Sequence, residues 1–361
     1  MKYEIDMQRF WEINNKCLDF SGPVQRVPVS IDLPGDWICA FLGLDNEKYY
    51  SVFKYQQENR MRCSKITQRE LGYTISPAID FGVIMDSSIY GGQVHYESTA
   101  TPTLKPVINT PEEIDDFIEK AYKIDILQAG LVPDYLSWRE KLISQYGIKL
   151  SYGASIKGCA TMLGQLCGIT NFLMWIVLYP EQIRKLVQCW LDTSIRYIKL
   201  MREITGYTAE KQTFSLQSDV TGMMSPDLYD EFIKESEKKL YDTFAPDADA
   251  VRYYHADSHM LHHLNSLREI GVNQVNIDPY VEPVQILEKM PDVIIHGQIP
   301  PTKVLLYGTA DDVVECVRRD INQAGPGKHL IITTAGSINP GTSIENLKAI
   351  CYAAEKYGYV Y

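Results

Sequence analysis

No cluster of lysine or arginine stands out in this sequence, and its formal net charge is -11. Neutralising a phosphate backbone takes grouped cations, so the sequence argues against a nucleic-acid partner. No CxxC pair occurs among the eight cysteines, at 17, 39, 63, 159, 167, 189, 316 and 351, and none has zinc-finger spacing. Scattered through 361 residues, they read as reduced core thiols and imply a cytoplasmic protein. No G-x-G-x-x-G follows a strand-like run, which disfavours a dinucleotide fold. The longest apolar run, Phe172 to Tyr179, is far short of a membrane span. The opening MKYEIDMQRFWEI mixes charges into its apolar residues and has no signal-peptide core, so no membrane association is expected. There is no internal repeat, low-complexity tract or linker.

What is present is an ordinary globular composition, 45% hydrophobic and 22% charged. Length alone permits two domains or one large α/β domain. From about residue 110 onward, β-rich runs alternate with amphipathic helical runs. Strands are expected at 149–155 (KLSYGAS), 212–219 (QTFSLQSD), 250–257 (AVRYYHAD), 274–279 (QVNIDP), 293–299 (VIIHGQI) and 329–336 (HLIITTAG). Several are apolar on successive residues, as in parallel strands covered on both faces. Capping signals punctuate the helices: Thr110 with Glu113, Ser225-Pro226, Thr309 before Asp311-Asp312, and Thr342 with Glu345. Pro180 opens a long helix that Gly206 ends, and a helix from His259 to Ile270 is closed by Gly271. A parallel sheet with crossover helices follows, and a closed barrel and an open doubly wound sheet both satisfy it. The first 110 residues are less regular, broken by Pro28, Pro34-Gly35 and Thr101-Pro102.

In parallel barrels the chemistry sits at the C-terminal strand ends. Those ends carry Ser218 and Asp219; Tyr254, His255 and Asp257; Asn276 and Asp278; His296 and Gln298; and Thr333 and Thr334. Strand alternation puts His255 and Asp257 on one side, where an imidazole and a carboxylate can hold a metal or relay a proton. The same pair can equally fix a loop. Asn276 and Asp278 share a face and suit a polar ligand or a turn cap, and Asp219 suits substrate orientation or a loop cap. His259, His262 and His263 read as a polar helix face with one semi-buried histidine rather than as further ligands. His296 reads as a core histidine bonded within the strands. Cys159 and Cys167 have no adjacent base and read as small core residues.

Four segments in order resemble the uroporphyrinogen decarboxylase superfamily: SDVTGMMSPDLYDEFI, YYHADSHMLHHLNSLREIGVNQVNID, HGQIPPTKVLLYGTADDVVECV and IITTAGSINPGTSIENLKAICYAAEKYG. They match its acidic strand end and helix start, its H-x-C/D element, its "GNiDP" stretch and its closing "PgTp.eN" helix. The resemblance covers about residues 75 to 361. It implies an α/β fold: a single (β/α)₈ TIM barrel, with residues 1–75 as an irregular N-terminal elaboration and 76–361 as the barrel body.

Members of the superfamily either decarboxylate uroporphyrinogen or pass methyl groups to or from a corrinoid. The decarboxylase's R-Q-A-G-R element is absent; Arg60 and Arg62 are the nearest arginines and do not match it. Its pyrrole-binding aspartate falls near Gly82, or at Asp80 with a two-residue slip, and its late histidine falls at Gly336. The coenzyme M methyltransferases bind zinc through H-x-C and a later cysteine. Here His255 keeps the histidine, Asp257 replaces the first cysteine and Gly336 the second.

The resemblance therefore implies a corrinoid-dependent methyltransferase acting on a small methylated donor of ether or amine type. His255, Asp257 and Asp219 are its catalytic residues. His255 and Asp257 are ligands to a zinc ion if one is bound. Asn276, Asp278, Gln298, Tyr254 and Asp80 contact substrate. The corrinoid comes on a partner protein, since no cobalt-ligating D-x-H-x-x-G occurs here. The alternatives are a uroporphyrinogen decarboxylase or related decarboxylase, and a non-catalytic ligand-binding barrel.

Overall fold

The computed structural model describes residues 3–18, 26–209 and 211–360. A short antiparallel hairpin, β1 (Val94–Glu97) and β2 (Ala100–Leu104), precedes a six-stranded parallel sheet. That sheet is β3 (Ser155–Lys157), β4 (Thr213–Gln217), β5 (Val251–Ala256), β6 (Gln274–Ile277), β7 (Ile294–Ile299) and β8 (Leu330–Thr334), in chain order. Each strand pairs with the next, and the order never reverses. A doubly wound sheet needs a reversal point, so this winding is of the barrel kind.

Pro28-Val29-Ser30 add to the free edge of β8. The Ser30 N–H donates to the Ile332 carbonyl (2.9 Å), and the Ile332 N–H to the Pro28 carbonyl (2.8 Å). At the opposite edge, the Lys157 N–H on β3 donates to Asp86 Oδ2 (2.6 Å). The segment ahead of β3 and the segment after residue 26 thus flank the sheet. Among the described residues no backbone ladder joins them to each other.

The strand sequences explain their two faces. Phe214 and Leu216 of β4, Tyr254 and Ala256 of β5, and Val275 and Ile277 of β6 are fully buried on one side, under the crossover helices. The long crossover Pro180–Thr205 starts with its proline at the first position, where a missing N–H costs nothing. Gly206 ends it at φ +66°, and its N–H caps the Arg202 and Glu203 carbonyls. The helix buries Ile183, Leu186, Trp190, Ile198 and Met201. Truncating Leu186 to alanine would cost roughly 2–5 kcal/mol.

Local details differ from the sequence reading. The first sheet strand lies at 155–157, not 149–155. The Glu113 carboxylate accepts from the Asn109 N–H (2.7 Å), not from Thr110. Ser343, not Thr342, caps the last helix, accepting from the Asn346 N–H (3.1 Å). Thr309 and Asp312 form a complete capping box. Residues 259–260 are irregular, 261–263 form a turn, and the helix runs only Leu264–Glu269. All eight cysteines are buried and unpaired. Among the described residues no single helix is long and apolar enough to cross a membrane.

Candidate functional site

The inward faces of β3 to β6 carry a polar row. Lys157 pairs in register with Gln217, Gln217 with His255, and His255 with Asn276, so the four side chains leave the sheet on one side at one level. The level below, Ser155, Ser215, Tyr253 and Gln274, is polar as well. Parallel sheets are ordinarily apolar on both faces, so two polar levels mark this side as a lined cavity rather than a packed core.

A cavity of about 260 Å³ lies against β5 to β8, with Asp32, Tyr253, His255, Asn276, His296 and Gly336 in its wall. Among the described residues no lysine or arginine lines it. Asp219 and Asp257 stand at its rim, where both are exposed. Asp219, His255 and Asp257 each offer a ligand atom, and these atoms all lie within 4.8 Å of one another. Asp257 Oδ1 is 3.3 Å from His255 Nε2, and the Asp257 N–H donates to Asp219 Oδ1 (2.7 Å). The second acid, Asp219, opens the single 3₁₀ turn Asp219–Met223 that follows β4, which is why it reaches the end of β5.

Asn276 fixes the state of His255. Its amide nitrogen faces two backbone carbonyls, His296 O (2.5 Å) and Thr334 O (2.7 Å), so it must be the NH₂ end. Its oxygen accepts from the Gly336 N–H (3.0 Å) and faces His255 Nδ1 at 2.8 Å. Nδ1 therefore carries a hydrogen, and Nε2 is the ring nitrogen turned toward Asp257. This is the arrangement that orients a histidine for metal binding or proton transfer.

Gly336 adopts φ +106°, and a Cβ there would sit 2.5 Å from Asp257 Oδ1. A side chain at 336 and the Asp257 carboxylate would compete for one space. The donor set is accordingly one imidazole and two carboxylates with no thiolate, which suits a divalent cation of borderline or hard character with open positions. Partial desolvation at the rim, opposed by His255 and reinforced by Asp219, raises the Asp257 carboxyl above its ordinary range. Burial lowers His296 to about 4, and its Nε2 lies 2.8 Å from Gln274 Oε1, so it stays neutral and bonded within the strands.

Other expected substrate contacts lie elsewhere. Tyr254 points to the opposite face of β5, fully buried, and donates to Thr221 Oγ1 (3.0 Å). Gln298 follows a cis peptide and turns away from the cavity. Its amide donates to the carbonyls of Ile277, Asp278 and Val281, which holds the loop after β6. Asp278 is buried at φ +39°, accepts from the Met260 and Tyr280 N–H groups and pairs with His259 Nδ1. Asn276 lines the cavity, but both ends of its amide are engaged, which makes it a support for His255. Asp80 lies outside this cavity, near Arg60, and accepts from the Gly82 N–H (2.8 Å). His262 and His263 both face the Met224 carbonyl, and His263 is fully buried with its pKa lowered to about 4 by burial.

The sequence reading missed Gln217, Tyr253 and Asp32. Period-two alternation back from His255 would have found Tyr253, and alternation back from Asp219 would have found Gln217. Asp32 carried no strand signal.

The uroporphyrinogen decarboxylase (URO-D) family profile matches residues 78–357. The methylcobamide:CoM methyltransferase MtbA of Methanosarcina acetivorans is 21% identical over 354 residues, which is 93% of this chain and 95% of that protein. A methylated-thiol–coenzyme M methyltransferase of Methanosarcina mazei is 21% identical over 281 residues, 76% of this chain and 71% of that protein. A solved methyltransferase from Methanosarcina mazei superposes with a TM-score of 0.68 at 17% identity, covering 98% of this chain and 99% of that one. At that identity the superposition speaks for the fold alone. The matched span takes in every parallel strand and the whole Asp219–His255–Asp257 cluster, and the chain belongs to the uroporphyrinogen decarboxylase family.

Proposed function

We propose that this protein is a corrinoid-dependent methyltransferase that moves a methyl group between a small methylated donor and a corrinoid held on a partner protein. The observation that carries this reading is the Asp219–His255–Asp257 cluster at adjoining strand ends, in a chain similar over 93% of its length to a methylcobamide methyltransferase. A methyl ether or amine is a poor donor until its heteroatom is protonated or bound to a Lewis acid. As the carbon–heteroatom bond breaks, the methyl group goes to cobalt(I). The bonding pair stays on the heteroatom, which takes a proton. His255, held by Asn276 with Nε2 toward Asp257, is the group that brings that proton. Asp257 compensates its charge, and Asp219 fixes the Asp257 backbone. Zinc or another divalent cation fits the same three side chains and would supply Lewis acidity toward the heteroatom.

The further parts of this reading rest on the fold. Residues 28–33 and 79–83 would fill the two remaining positions of an eight-fold barrel, with the rest of residues 1–75 as an elaboration around it. The eight buried, unpaired thiols fit a reducing compartment, the cytoplasm. Decarboxylation of uroporphyrinogen is the weaker reading, because a substrate with eight carboxylates would meet a cavity that no lysine or arginine among the described residues lines. The test is methyl transfer to cob(I)alamin, followed by the loss of cobalt(I) absorbance, beside an assay for coproporphyrinogen fluorescence. Turnover of uroporphyrinogen would end the methyltransferase reading.

A further inference from the structure

Every residue of the inward polar row has a partner except one. Lys157 is paired with Asp86, and His255 and Asn276 with each other. Among the described residues the Gln217 side chain has no hydrogen-bond partner, although it lies directly between Lys157 and His255. It faces a second cavity, of about 320 Å³, on the β3–β4 side of the sheet. An unpartnered amide that can both donate and accept, one strand from the reactive cluster, is what a site for a neutral heteroatom requires.

The rest of the wall narrows the ligand. Phe81, Tyr135, Tyr152, Ile79, Met85 and Leu150 give it one apolar and aromatic side, facing Asp86, Lys157, Ser151 and Ser155 on the other. A cavity of about 150 Å³ suffices for a benzene ring, so this one, at about 320 Å³, has room for a substituted single ring. Its one cation and one anion cancel: Lys157 Nζ lies 2.9 Å from Asp86 Oδ1, with both side chains buried. The three ammonium hydrogens are taken by Asp86, the Val83 carbonyl and, more weakly, Ser87 Oγ. Nothing is left to grip a carboxylate. An aromatic cage could draw a quaternary ammonium, but here the ligand would lie against an ammonium already in the wall. The cavity is built for an uncharged ring.

We propose that this cavity binds the leaving part of the methyl donor as an uncharged aromatic ring, with the Gln217 amide bonded to its heteroatom. The proposal rests on the methyltransferase reading for the word donor, but not for binding. Gln217 and His255 are register partners on neighbouring strands, about 4.8 Å apart. A heteroatom held by the one is therefore within reach of the other.

Titration calorimetry of the full chain, without corrinoid, tests it with 2-methoxyphenol, tetramethylammonium and benzoate as probes. Saturable binding of 2-methoxyphenol alone is expected, weakened about tenfold by Gln217→Leu, which keeps the side-chain volume and removes the hydrogen bonds. Phe81→Ala, in the apolar wall, gives a second reading with Gln217 intact, and it too should weaken the ring. Equal binding in the wild type and both variants, preference for tetramethylammonium or benzoate, or no saturable binding overturns the proposal. The two readings separate cleanly. If the ring binds through Gln217 but gives no methyl group to cob(I)alamin, the subsite stands and the methyltransferase reading fails. If transfer from 2-methoxyphenol is unchanged in Gln217→Leu, the subsite fails and the methyltransferase reading stands.

Discussion

Strands β4 and β5 present polar groups on both faces, and the two faces are built differently. On the outer face, Ser218, Thr221, Tyr254, Tyr229 and Glu237 form a closed network. Ser218 Oγ lies 2.8 Å from Thr221 Oγ1, and Tyr254 donates to that same oxygen. The two oxygens of Glu237 accept from the Cys159 N–H and the Tyr229 hydroxyl, each at 3.0 Å. All five are fully buried, and their polar atoms meet one another. On the inner face, His255 Nε2, the carboxylates of Asp219 and Asp257 and the amide of Gln217 look into cavities or solvent. Burial of polar groups therefore marks no site by itself. A buried polar group with complete partners fixes the fold, and one with atoms left over is available for chemistry.

The strongest way to break this contrast is to remove an inner-face acid. Asp257→Ala should lower methyl transfer roughly 10²–10⁴-fold, the range for loss of general acid–base assistance, with thermal unfolding unchanged. Asp257→Cys separates two mechanisms: a metal site should keep much of its activity and bind zinc measurably, whereas a carboxylate-assisted relay should stay inactive. Full activity in the alanine variant would put the chemistry on another strand.

Asn276 tests whether orientation alone matters. Asn276→Ala removes the acceptor that holds Nδ1–H and frees the ring to turn. A loss of about 10–100-fold is expected, as for other partners that orient a ligand histidine. Asn276→Asp keeps an acceptor toward Nδ1 but loses the NH₂ donor to the two carbonyls. It should recover part of the activity while melting lower than the wild type. Equal activity in both variants would mean that the His255 tautomer is set by something other than this amide.

The extent to which these faces were legible in the sequence follows from the range of the forces involved. Alternation and helix caps are local, so the parallel strands after β3 and the long helix from Pro180 were readable within a residue or two. The His255–Asp257 pair was readable for the same reason. That Asp219 completes the cluster depends on a turn of five residues folding back over β5, which no local period encodes. Gln298 and Asp278 looked like Asn276 in sequence. Both are bonded to backbone partners instead, across loops whose conformation depends on tertiary context. Residues 28–30 carried only a proline signal, and the β8 edge they complete lies about three hundred residues away.

The outer face should answer to pH rather than to substrate. Burial raises Glu237 from 4.5 to about 7, so the folded carboxyl is neutral where the unfolded one is already ionised. Between those values the folded state binds more protons than the unfolded state, and stability falls as pH rises through that window, by about 3 kcal/mol in all. Glu237→Gln removes this slope and can keep the same contacts, with its oxygen toward Cys159 N–H and its NH₂ toward Tyr229. Urea unfolding at pH 5 and pH 8 should show the variant gaining on the wild type at the higher pH, with methyl transfer within twofold of normal. Parallel pH profiles would mean that the carboxyl is hydrated or otherwise compensated.

The smallest effect is expected at Tyr254, which the sequence placed at the site and the structure places behind it. Tyr254→Phe deletes one hydroxyl from the closed network and leaves the ring in its buried slot, where it is 0% exposed. Thr221 keeps its bond to Ser218, and Glu237 keeps Tyr229 and the Cys159 N–H, so no polar atom is orphaned outright. The loss should then be that of a single net hydrogen bond, about 1 kcal/mol, read as a lower urea midpoint at unchanged slope. Both kcat and KM for methyl transfer should stay within twofold, because the hydroxyl lies on the far side of β5 from His255. The neighbouring substitution Tyr253→Phe, which removes an inward hydroxyl, supplies the control: it should cost little stability and alter KM instead. If Tyr254→Phe proved the more damaging to turnover, the outer network would be transmitting to Asp219 through Ser218, and the division between the two faces would not hold.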